Sequence, residues 1–442
     1  SRHGHLRRPH RFRYPHAASS TLPSMVQPSF RIGRHASQRA FALSFALRTA
    51  IEPALGQSAG GMRRPVVKPI RIMSSSIARS IAAEAAALRT HYAQTVLPIW
   101  RGPGFNGTLQ LPYEAVAADN HAPLPVARYR AMACARQLFV FSHAGEAAHA
   151  GQLFHAMCRY FHDEKHGGWF YSIDAQGAPL DTSKDLYTHA FVIFACAHYA
   201  FATGDRDALR VVAETASLVQ ERFGSAAGLL HAALERDFST VRTGPLQNPL
   251  MHLTEALLAA YETTGEPAYE STLAQLADAV AGSFVHAPTG AIAELPLGSA
   301  ANRLEPGHQF EWFYLVKRAG PVVAASGLEG HLSRAFDFAQ RYGIDRTTGG
   351  VCAALDENGG VKDPTQRIWA QTEYLRALAT RGRDEDLETL ALQIPRFQAR
   401  FLHARGWYEC VTPAGDVARA DMPSTTPYHL TTAYAALPAS PQ

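Results

Sequence analysis

The chain has 442 residues, of which 47% are hydrophobic and 18% charged. This composition predicts a globular protein with one large core or two modest ones. The five cysteines are scattered without a CxxC spacing. We therefore expect no disulfide framework, no zinc site and a reducing compartment, the cytoplasm. No apolar run approaches the roughly 20 residues that span a bilayer, so membrane insertion is not expected.

Positive charge is concentrated at the start of the chain. Residues 1–72 hold 13 Lys and Arg against one acid, Glu52, although the net charge of the whole chain is +4. A transit-like presequence and a nucleic-acid arm are two interpretations of such a segment. We favour a third, a disordered or non-native extension, with residues 73–442 as a single catalytic domain. No nucleic-acid partner is then expected.

From Met73 onward, two kinds of helical pattern alternate. One kind has a single apolar stripe opposite charged positions, as in "DRDALRVVAETASLVQERF" and "LEGHLSRAFDFAQRYG", which predicts helices with one face in water. The other kind starts with polar residues and is apolar around most of its circumference, as in "DLYTHAFVIFACAHYAF" and "NPLMHLTEALLAAYETT". These helices should be buried. Each kind occurs six times.

A short hairpin-like segment precedes five of the apolar helices. It recurs as "HGGWFYSIDAQGAPL", "AAGLLHAALERDFST", "TGAIAELPLG", "TGGVCAALDENGGVK" and "ARGWYECVTPAGDVA", and three copies continue into a tight turn. The polar anchors of the six apolar helices are Arg136, His189, His252, His308, Gln371 and His429. Six such repeats predict an all-α (α/α)6 barrel of six inner and six outer helices with short β-hairpins at the rim. An open solenoid of helix pairs stays possible.

If the inner helices run parallel, their N-terminal ends and polar residues converge at one mouth of the barrel. Four of the six anchors are histidines. Histidine titrates near neutrality, so two of them on opposite sides of a sugar could remove a proton and return it elsewhere. The candidate residues at this mouth are Arg136, His189, Asn248, His252, Glu255, His308, Glu311, Trp312, Gln371, Glu373 and His429.

The residues alone leave three other interpretations open. His252 and Glu255 could bind a metal, although imidazoles outnumber acids here. A glycoside hydrolase needs two opposed carboxyl groups, and Glu255, Glu311, Glu373 or Asp185 could supply them. The barrel could also be a non-catalytic sugar-binding protein.

Five segments in order resemble the successive signatures of the N-acylglucosamine 2-epimerase superfamily. They are "KDLYTHAFVIFACAHYAFATGD", "NPLMHLTEALLAAYETTGE", "EPGHQFEW", "RIWAQTE" and "MPSTTPYHL". The resemblance extends from about Ile77 to the C-terminus. It implies an (α/α)6 barrel that moves the proton at C2 of a monosaccharide aldose without metal or redox cofactor. A homodimer is the family expectation.

The resemblance also implies roles for individual residues. His252 and His429 match the acid–base residues of the family, and Arg136 matches an arginine that contacts the sugar oxygens near the reacting carbons. His189, Glu255 and Glu311 match the remaining polar contacts of the family's site. Asn248, Trp312 and Glu373 lie at the same mouth and are further expected substrate contacts.

We expect His252 to assist ring opening, with Glu255 orienting its imidazole and raising its basicity, while His429 carries the proton between C2 and C1. The segment "EPGHQFEWFYLV" resembles the mannose isomerase branch of the family. This favours isomerisation of D-mannose to D-fructose. The alternative is 2-epimerisation of N-acylglucosamine or another aldose.

Overall fold

The computed structural model describes residues 75–439, so the predicted extension, residues 1–72, lies outside the described residues. The described part is predominantly helical, as predicted. Its α-helices are α1 (Ser75–His91), α2 (Leu97–Arg101), α3 (Ala131–His143), α4 (Ala147–Phe161), α5 (Leu186–Thr203), α6 (Arg206–Arg222), α7 (Gln247–Thr264), α8 (Pro267–Phe284), α9 (Pro306–Ala319), α10 (Leu328–Gly343), α11 (Ile368–Arg381), α12 (Asp384–Phe401) and α13 (Thr426–Ala436).

The two predicted kinds of helix are both present. Helix α7 is buried at every position from Pro249 to Ala260, and α3, α5, α9, α11 and α13 are buried in the same way. By contrast, α6 buries only five residues, three or four positions apart for the most part, which form one stripe. The burial of each helix therefore follows its hydrophobic pattern.

Two of the long buried helices end at a C-terminal glycine cap. Helices α5 and α7 are followed by Gly204 and Gly265, whose φ angles are 76° and 72°. Glycine adopts this left-handed conformation without a steric cost from Cβ, and it closes the helix. At the other end of α5, Asp185 accepts a hydrogen bond from the backbone N–H of Thr188.

The buried helices contact one another in chain order: α3 packs on α5, α5 on α7, α7 on α9, α9 on α11, and α11 on α13. The last of them, α13, also contacts α3. Each amphipathic helix from α4 to α12 packs on the buried helix before it, and α1 packs on α12. The polar ends of the buried helices are thereby held next to one another.

Short antiparallel strands lie between the helices. They are β1 (Phe105–Asn106), β2 (Leu111–Pro112), β3 (Ala115–Val116), β4 (Tyr129–Arg130), β5 (Ser172–Ile173), β6 (Pro179–Asp181), β7 (Lys184–Asp185), β8 (Ala233–Leu234), β9 (Val241–Thr243), β10 (Ala354–Leu355), β11 (Val361–Asp363), β12 (Gln366–Arg367), β13 (Leu402–His403), β14 (Gly406–Trp407), β15 (Cys410–Val411), β16 (Val417–Arg419) and β17 (Met422–Pro423). The strand that leads into a buried helix pairs with the next hairpin, in the sheets β4–β5–β6, β7–β8–β9 and β12–β15–β16. Strand β17 pairs with β3, which links the last repeat to the first.

Four of the five predicted hairpins form, as β5–β6, β8–β9, β10–β11 and β15–β16. The third segment, residues 289–298, makes only an isolated bridge between Ile292 and Val285. Pro296 has no N–H to donate to a ladder, and the N–H of Leu295 donates to the side chain of Asn302 instead. The prediction of a hairpin there was wrong for this reason.

Among the described residues, α5 is long and apolar enough to cross a membrane by length and composition alone. Of its 18-residue window, 72% is buried inside the protein. A core helix passes the same test, so this feature is weak evidence for a membrane span.

Candidate active site

Helix α7 carries the first pair of candidate site residues. Nδ1 of His252 lies 3.4 Å from Oε2 of Glu255, and only 2% of either side chain is exposed. The phenol of Tyr428, on α13, donates a hydrogen bond to the same oxygen. Because His252 and Glu255 are three positions apart, one face of the helix presents both.

Burial and its partners set the charge of this pair. Burial lowers the pKa of His252 to about 4, although the contact with Glu255 opposes this shift. For Glu255, burial favours the neutral acid, but the hydrogen bond with His252 and the charge of Arg376 bring its pKa to about 2. At neutral pH the pair is therefore a neutral imidazole beside a carboxylate.

A second pair joins two helices. Nδ1 of His429, on α13, lies 2.9 Å from Oε1 of Glu373, on α11. Burial, followed by the charge of Arg136, holds the pKa of His429 well below its usual value. Burial raises the pKa of Glu373 to about 7, against the charge of Arg376. His429 is thus a second neutral imidazole with Nδ1 occupied by a glutamate.

Arg136 lies in an aromatic cage beside these histidines. It donates a 2.6 Å hydrogen bond to the phenol of Tyr187, and its guanidinium lies 4.3 Å from the ring centre of Phe191 and 4.7 Å from that of Tyr428. The rings of Tyr187 and Phe191 also contact His252, at 4.8 and 4.7 Å. The cage therefore brings a fixed positive charge next to a neutral base.

Glu311 and Arg376 complete the cluster. Nη2 of Arg376 forms an ion pair with Glu373 and lies 3.6 Å from Oε1 of Glu311. Within the described residues, both carboxyl oxygens of Glu311 are buried without a hydrogen-bond partner. Burial and then the neighbouring Glu373 raise the pKa of Glu311 well above its usual value. Glu311 is therefore a neutral acid whose carboxyl group has no hydrogen-bond partner among the described residues.

His308 differs from His252 and His429 in its protonation state. Its Nδ1 lies 2.7 Å from Glu294 and 3.6 Å from Glu305. Burial favours the neutral ring, but Glu294 raises the pKa of His308 to about 9. The ring of Trp369 contacts both His308, at 4.9 Å, and His429, at 5.6 Å. The protonated ring of His308 and the neutral ring of His429 therefore both contact the indole of Trp369.

Three predicted sugar-binding residues make no hydrogen bond to the histidines and glutamates of this cluster. His189 uses both ring nitrogens locally, with the backbone oxygen of Asp185 at 2.8 Å and the backbone N–H of Trp169 at 3.1 Å. Trp312 is completely buried and donates to Gln247. Asn248 makes no hydrogen bond to the cluster, although its buried Oδ1 lacks a partner among the described residues.

Sequence reasoning did not single out several members of the site. They are Tyr187, Phe191, Arg376 and Tyr428. One signal was available for Arg376, because Glu373 and Arg376 repeat the three-residue spacing of His252 and Glu255. Tyr and Phe are also common in hydrophobic cores, so the sequence could not distinguish the aromatic residues of the site from core residues.

Among the described residues, three groups have the composition of a metal site. One is His308 with Glu294 and Glu305, and the other two share Glu311. The ligand atoms of His252, Glu255 and Glu311 lie within 4.8 Å of one another, as do those of Glu311, Glu373 and His429. Nδ1 of each histidine is already in contact with a glutamate. Arg376 also supplies a positive charge to two of the three carboxyl groups. The donor set is therefore largely used within the protein.

A cleft of about 390 Å³ lies beside the cluster rather than within it. Thr425 lines the cleft, and its backbone oxygen accepts a 3.4 Å hydrogen bond from Arg136. The charged residues that line it are Glu114, Arg128, Arg130, Glu409, Arg419 and Asp421. The cleft thus adjoins the start of α13, the helix that carries His429.

Residues 117–433 match the family described as N-acylglucosamine 2-epimerase (GlcNAc 2-epimerase). A mannose-6-phosphate isomerase from Rhizobium meliloti (strain 1021) is 29% identical over 373 residues, which cover 76% of this chain and 91% of that protein. A D-mannose isomerase from Thermobifida fusca is 31% identical over 143 residues, which are 32% of this chain and 34% of that protein.

Solved structures share the fold. The cellobiose 2-epimerase from Spirochaeta thermophila DSM 6192 superposes with a TM-score of 0.72 at 22% identity, over 82% of this chain and 97% of that one. The match to the family covers most of the described chain. The chain therefore belongs to the N-acylglucosamine 2-epimerase family and is an enzyme of the sugar isomerase and epimerase class.

Proposed function

We propose that the protein is an aldose–ketose isomerase that converts D-mannose to D-fructose. The observation that carries the proposal is the presence of two neutral histidines on different helices, each with Nδ1 against a buried glutamate. Neither Nε2 has a hydrogen-bond partner among residues 75–439. Two free bases and a nearby guanidinium suit the removal and return of a proton next to a carbonyl group.

His429 acts as the base on carbon. Its Nε2 takes the proton from C2 of the open-chain sugar, which leaves an enediolate. The proton on Nε2 exchanges with water, and a proton is then returned to C1. One further proton must pass from the oxygen on C2 to the oxygen on C1 for the ketose to form. Arg136 compensates the negative charge on these oxygens during the transfer.

His252 and His308 transfer protons at the oxygens of the sugar ring. His252, oriented by Glu255, takes the proton of the anomeric hydroxyl as the ring opens. His308 carries a proton at neutral pH, because Glu294 raises its pKa to about 9 against burial, and can donate it to the ring oxygen. Environments that drive the pKa values of neighbouring groups apart are typical of acid–base assignments.

We also propose that the buried helices are the inner ring of an (α/α)6 barrel and the amphipathic helices its outer ring. The contact between α13 and α3, the last and first buried helices, favours a closed ring over an open solenoid. The monosaccharide would bind at the starts of the inner helices.

Product identity tests the proposal. The protein is incubated with D-mannose, D-glucose and N-acetylmannosamine in deuterated water, and NMR follows exchange at C2 and the products. We expect fructose from mannose, with deuterium at C1. A product that is only the C2 epimer would establish the alternative, a 2-epimerase. Absence of exchange with all three sugars would contradict both.

A phosphorylated substrate is the second candidate, because the relative aligned over 91% of its length is named a mannose-6-phosphate isomerase. Mannose 6-phosphate is therefore assayed beside mannose at equal concentration. Arg128 of the adjoining cleft makes no ion pair among the described residues, whereas Arg130 and Arg419 pair with acids. Preference for the phosphate ester, lost in Arg128→Ala, would support this candidate.

A further inference from the structure

Two residues of α11 enter the site side by side. Glu373 and Arg376 are three positions apart and completely buried, so they lie on one face of the helix. They form an ion pair through Oε2 and Nη2. The other oxygen of Glu373 lies 2.9 Å from Nδ1 of His429. A guanidinium, a carboxyl group and an imidazole thus form a continuous chain.

The same guanidinium faces a second carboxyl group. Nη2 of Arg376 is 3.6 Å from Oε1 of Glu311, and the guanidinium carbon is 4.1 Å from the ring centre of Tyr314. Glu311 has no hydrogen-bond partner within the described chain. One fixed positive charge is therefore shared by two buried carboxyl groups that differ in their partners.

Two buried carboxylates against one guanidinium are unfavourable, and such a pair relieves the repulsion by keeping one proton. Glu373 has an ion pair and an imidazole at its two oxygens, whereas Glu311 has only the longer contact. Burial and Glu373 raise the pKa of Glu311 well above its usual value, while burial raises that of Glu373 only to about 7. The proton belongs on Glu311.

We propose that Arg376 is a positioning residue that keeps Glu373 as a carboxylate against Nδ1 of His429 and leaves the shared proton on Glu311. His429 is then held with its proton on Nδ1 and with Nε2 free as a base. Without the guanidinium, Glu373 takes up a proton and donates it to Nδ1, so the ring proton moves to Nε2. That tautomer cannot accept the proton from C2.

This inference rests on the proposed function, because it concerns the base of the same reaction. The pH dependence of His429 and Glu373 also depends on the other charged and titratable groups around them. These groups are Arg136 of α3, His252 and Glu255 of α7, His308 and Glu311 of α9, Arg376 of α11 and Tyr428 of α13. A change at Arg376 leaves the rest of this set in place.

The test compares Arg376→Met and Arg376→Lys with a control, Arg381→Met. Arg381 is on the same helix, pairs with Asp386 and packs on the ring of Phe336 at 3.6 Å, outside the cluster. For Arg376→Met we expect kcat to fall about 100-fold with KM changed less than about threefold. The acid limb of the pH profile should move upward by about one unit or more, because Glu373 keeps its proton to higher pH.

Arg376→Lys retains the charge, so the acid limb of its pH profile should move less than that of Arg376→Met. The acid limb of the control, Arg381→Met, should not move. An unmoved acid limb in both Arg376 variants would overturn the proposal, even if kcat fell. If Arg376→Met does not fold, the acid limb of Arg376→Lys decides, since a lysine keeps the charge but lacks the planar guanidinium whose Nη2 contacts both Glu373 and Glu311.

A second measurement does not depend on turnover. NMR of 15N-histidine-labelled protein, with the His429 signals assigned by their loss in His429→Gln, reports which ring nitrogen carries the proton. We expect the proton on Nδ1 in the unchanged protein and on Nε2 in Arg376→Met. The same tautomer in both would overturn the inference. If the protein turned over none of the sugars, the proposed function would be contradicted, but the NMR result on the His429 tautomer would still hold.

Discussion

Nδ1 of His429 lies 2.9 Å from Oε1 of Glu373, although 56 positions separate the two residues in the sequence. His252 and Glu255 make the same kind of contact within a single helix, at 3.4 Å. Each imidazole is thus oriented through Nδ1 by a buried glutamate, and each leaves Nε2 without a hydrogen-bond partner among the described residues. In the proposed reaction, two bases on separate helices divide ring opening and carbon deprotonation between them.

The first prediction separates these two roles. His429→Asn should lower the rate of deuterium exchange at C2 by about 100-fold or more, because the base on carbon is lost. His252→Asn should impair ring opening instead. Erythrose that is methylated on its 4-hydroxyl can close neither a pyranose nor a furanose ring, so this form of erythrose serves as a substrate that bypasses ring opening.

The measurement is the ratio of variant to unchanged activity on the methylated erythrose and on mannose. For His252→Asn this ratio should be at least about tenfold higher on the methylated erythrose, and for His429→Asn it should be equally low on both. Equal loss on both sugars in His252→Asn would contradict its assignment to ring opening.

The second prediction concerns pH. Burial raises the pKa of Glu373 to about 7, and below that pH its protonated form holds His429 in the unproductive tautomer. Activity should therefore rise as the pH increases through about 7. Although burial favours neutral His308, Glu294 raises its pKa to about 9, so activity should fall above about pH 9 as His308 loses its proton.

The profile of kcat/KM between pH 5 and 10.5 checks this expectation. His308→Gln should lower activity and remove the alkaline limb while leaving the acid limb in place. A maximum below pH 6, or an alkaline limb that persists in His308→Gln, would contradict the assignments.

The helices and their alternation could be predicted because burial follows hydrophobic periodicity. The contact between His252 and Glu255 could also be predicted, since residues three apart share a helix face. The pair of His429 and Glu373 could not, because it depends on how two helices are rotated about their axes. A sequence does not specify that rotation residue by residue.

The repeat also misled the choice of anchors. His189 and Gln371 both lie three positions after the start of their helices, and both bind the backbone of the preceding hairpin, at Trp169 and Val351. Gln309 has the same position and binds Ile292. A polar residue at a recurring position can therefore hold a hairpin rather than a substrate, and letters alone do not distinguish the two.

The third prediction concerns Arg136. Arg136→Met removes the charge that faces the developing enediolate, and kcat/KM should fall about 100-fold to 1000-fold. Tyr187→Phe is the matched control, since it deletes the phenol that accepts from Arg136 at 2.6 Å but keeps the ring. Its loss should be about tenfold or less. Similar losses in the two variants would show that the hydrogen bond, and not the charge, matters.

The fourth prediction concerns metal ions. We expect that EDTA leaves kcat unchanged and that added Mg²⁺, Mn²⁺ or Zn²⁺ does not raise it. The reason is that Nδ1 of both histidines lies against a glutamate and that Arg376 already supplies a positive charge to Glu311 and Glu373. Loss of activity in EDTA that one of these ions restores would establish a metal site in the cluster.

The fifth prediction concerns stability at the start of α5. Lys184 is completely buried, and its Nζ lies 2.9 Å from Oδ2 of Asp163, which is 1% exposed. Asp163→Asn preserves shape but leaves a buried ammonium without a counter-charge. The free energy of unfolding should fall by about 3–5 kcal/mol.

Arg236 provides the matched comparison, because it binds the same carboxylate at 2.8 Å but its side chain is 41% exposed. Arg236→Gln should cost much less than Asp163→Asn, since water replaces most of what the ion pair provides. Urea denaturation of the two variants measures the difference. The double variant Asp163→Asn with Lys184→Met should recover part of the loss, because it removes the unpaired charge itself. If the double variant were no more stable than Asp163→Asn, the loss would come from packing rather than from a buried charge.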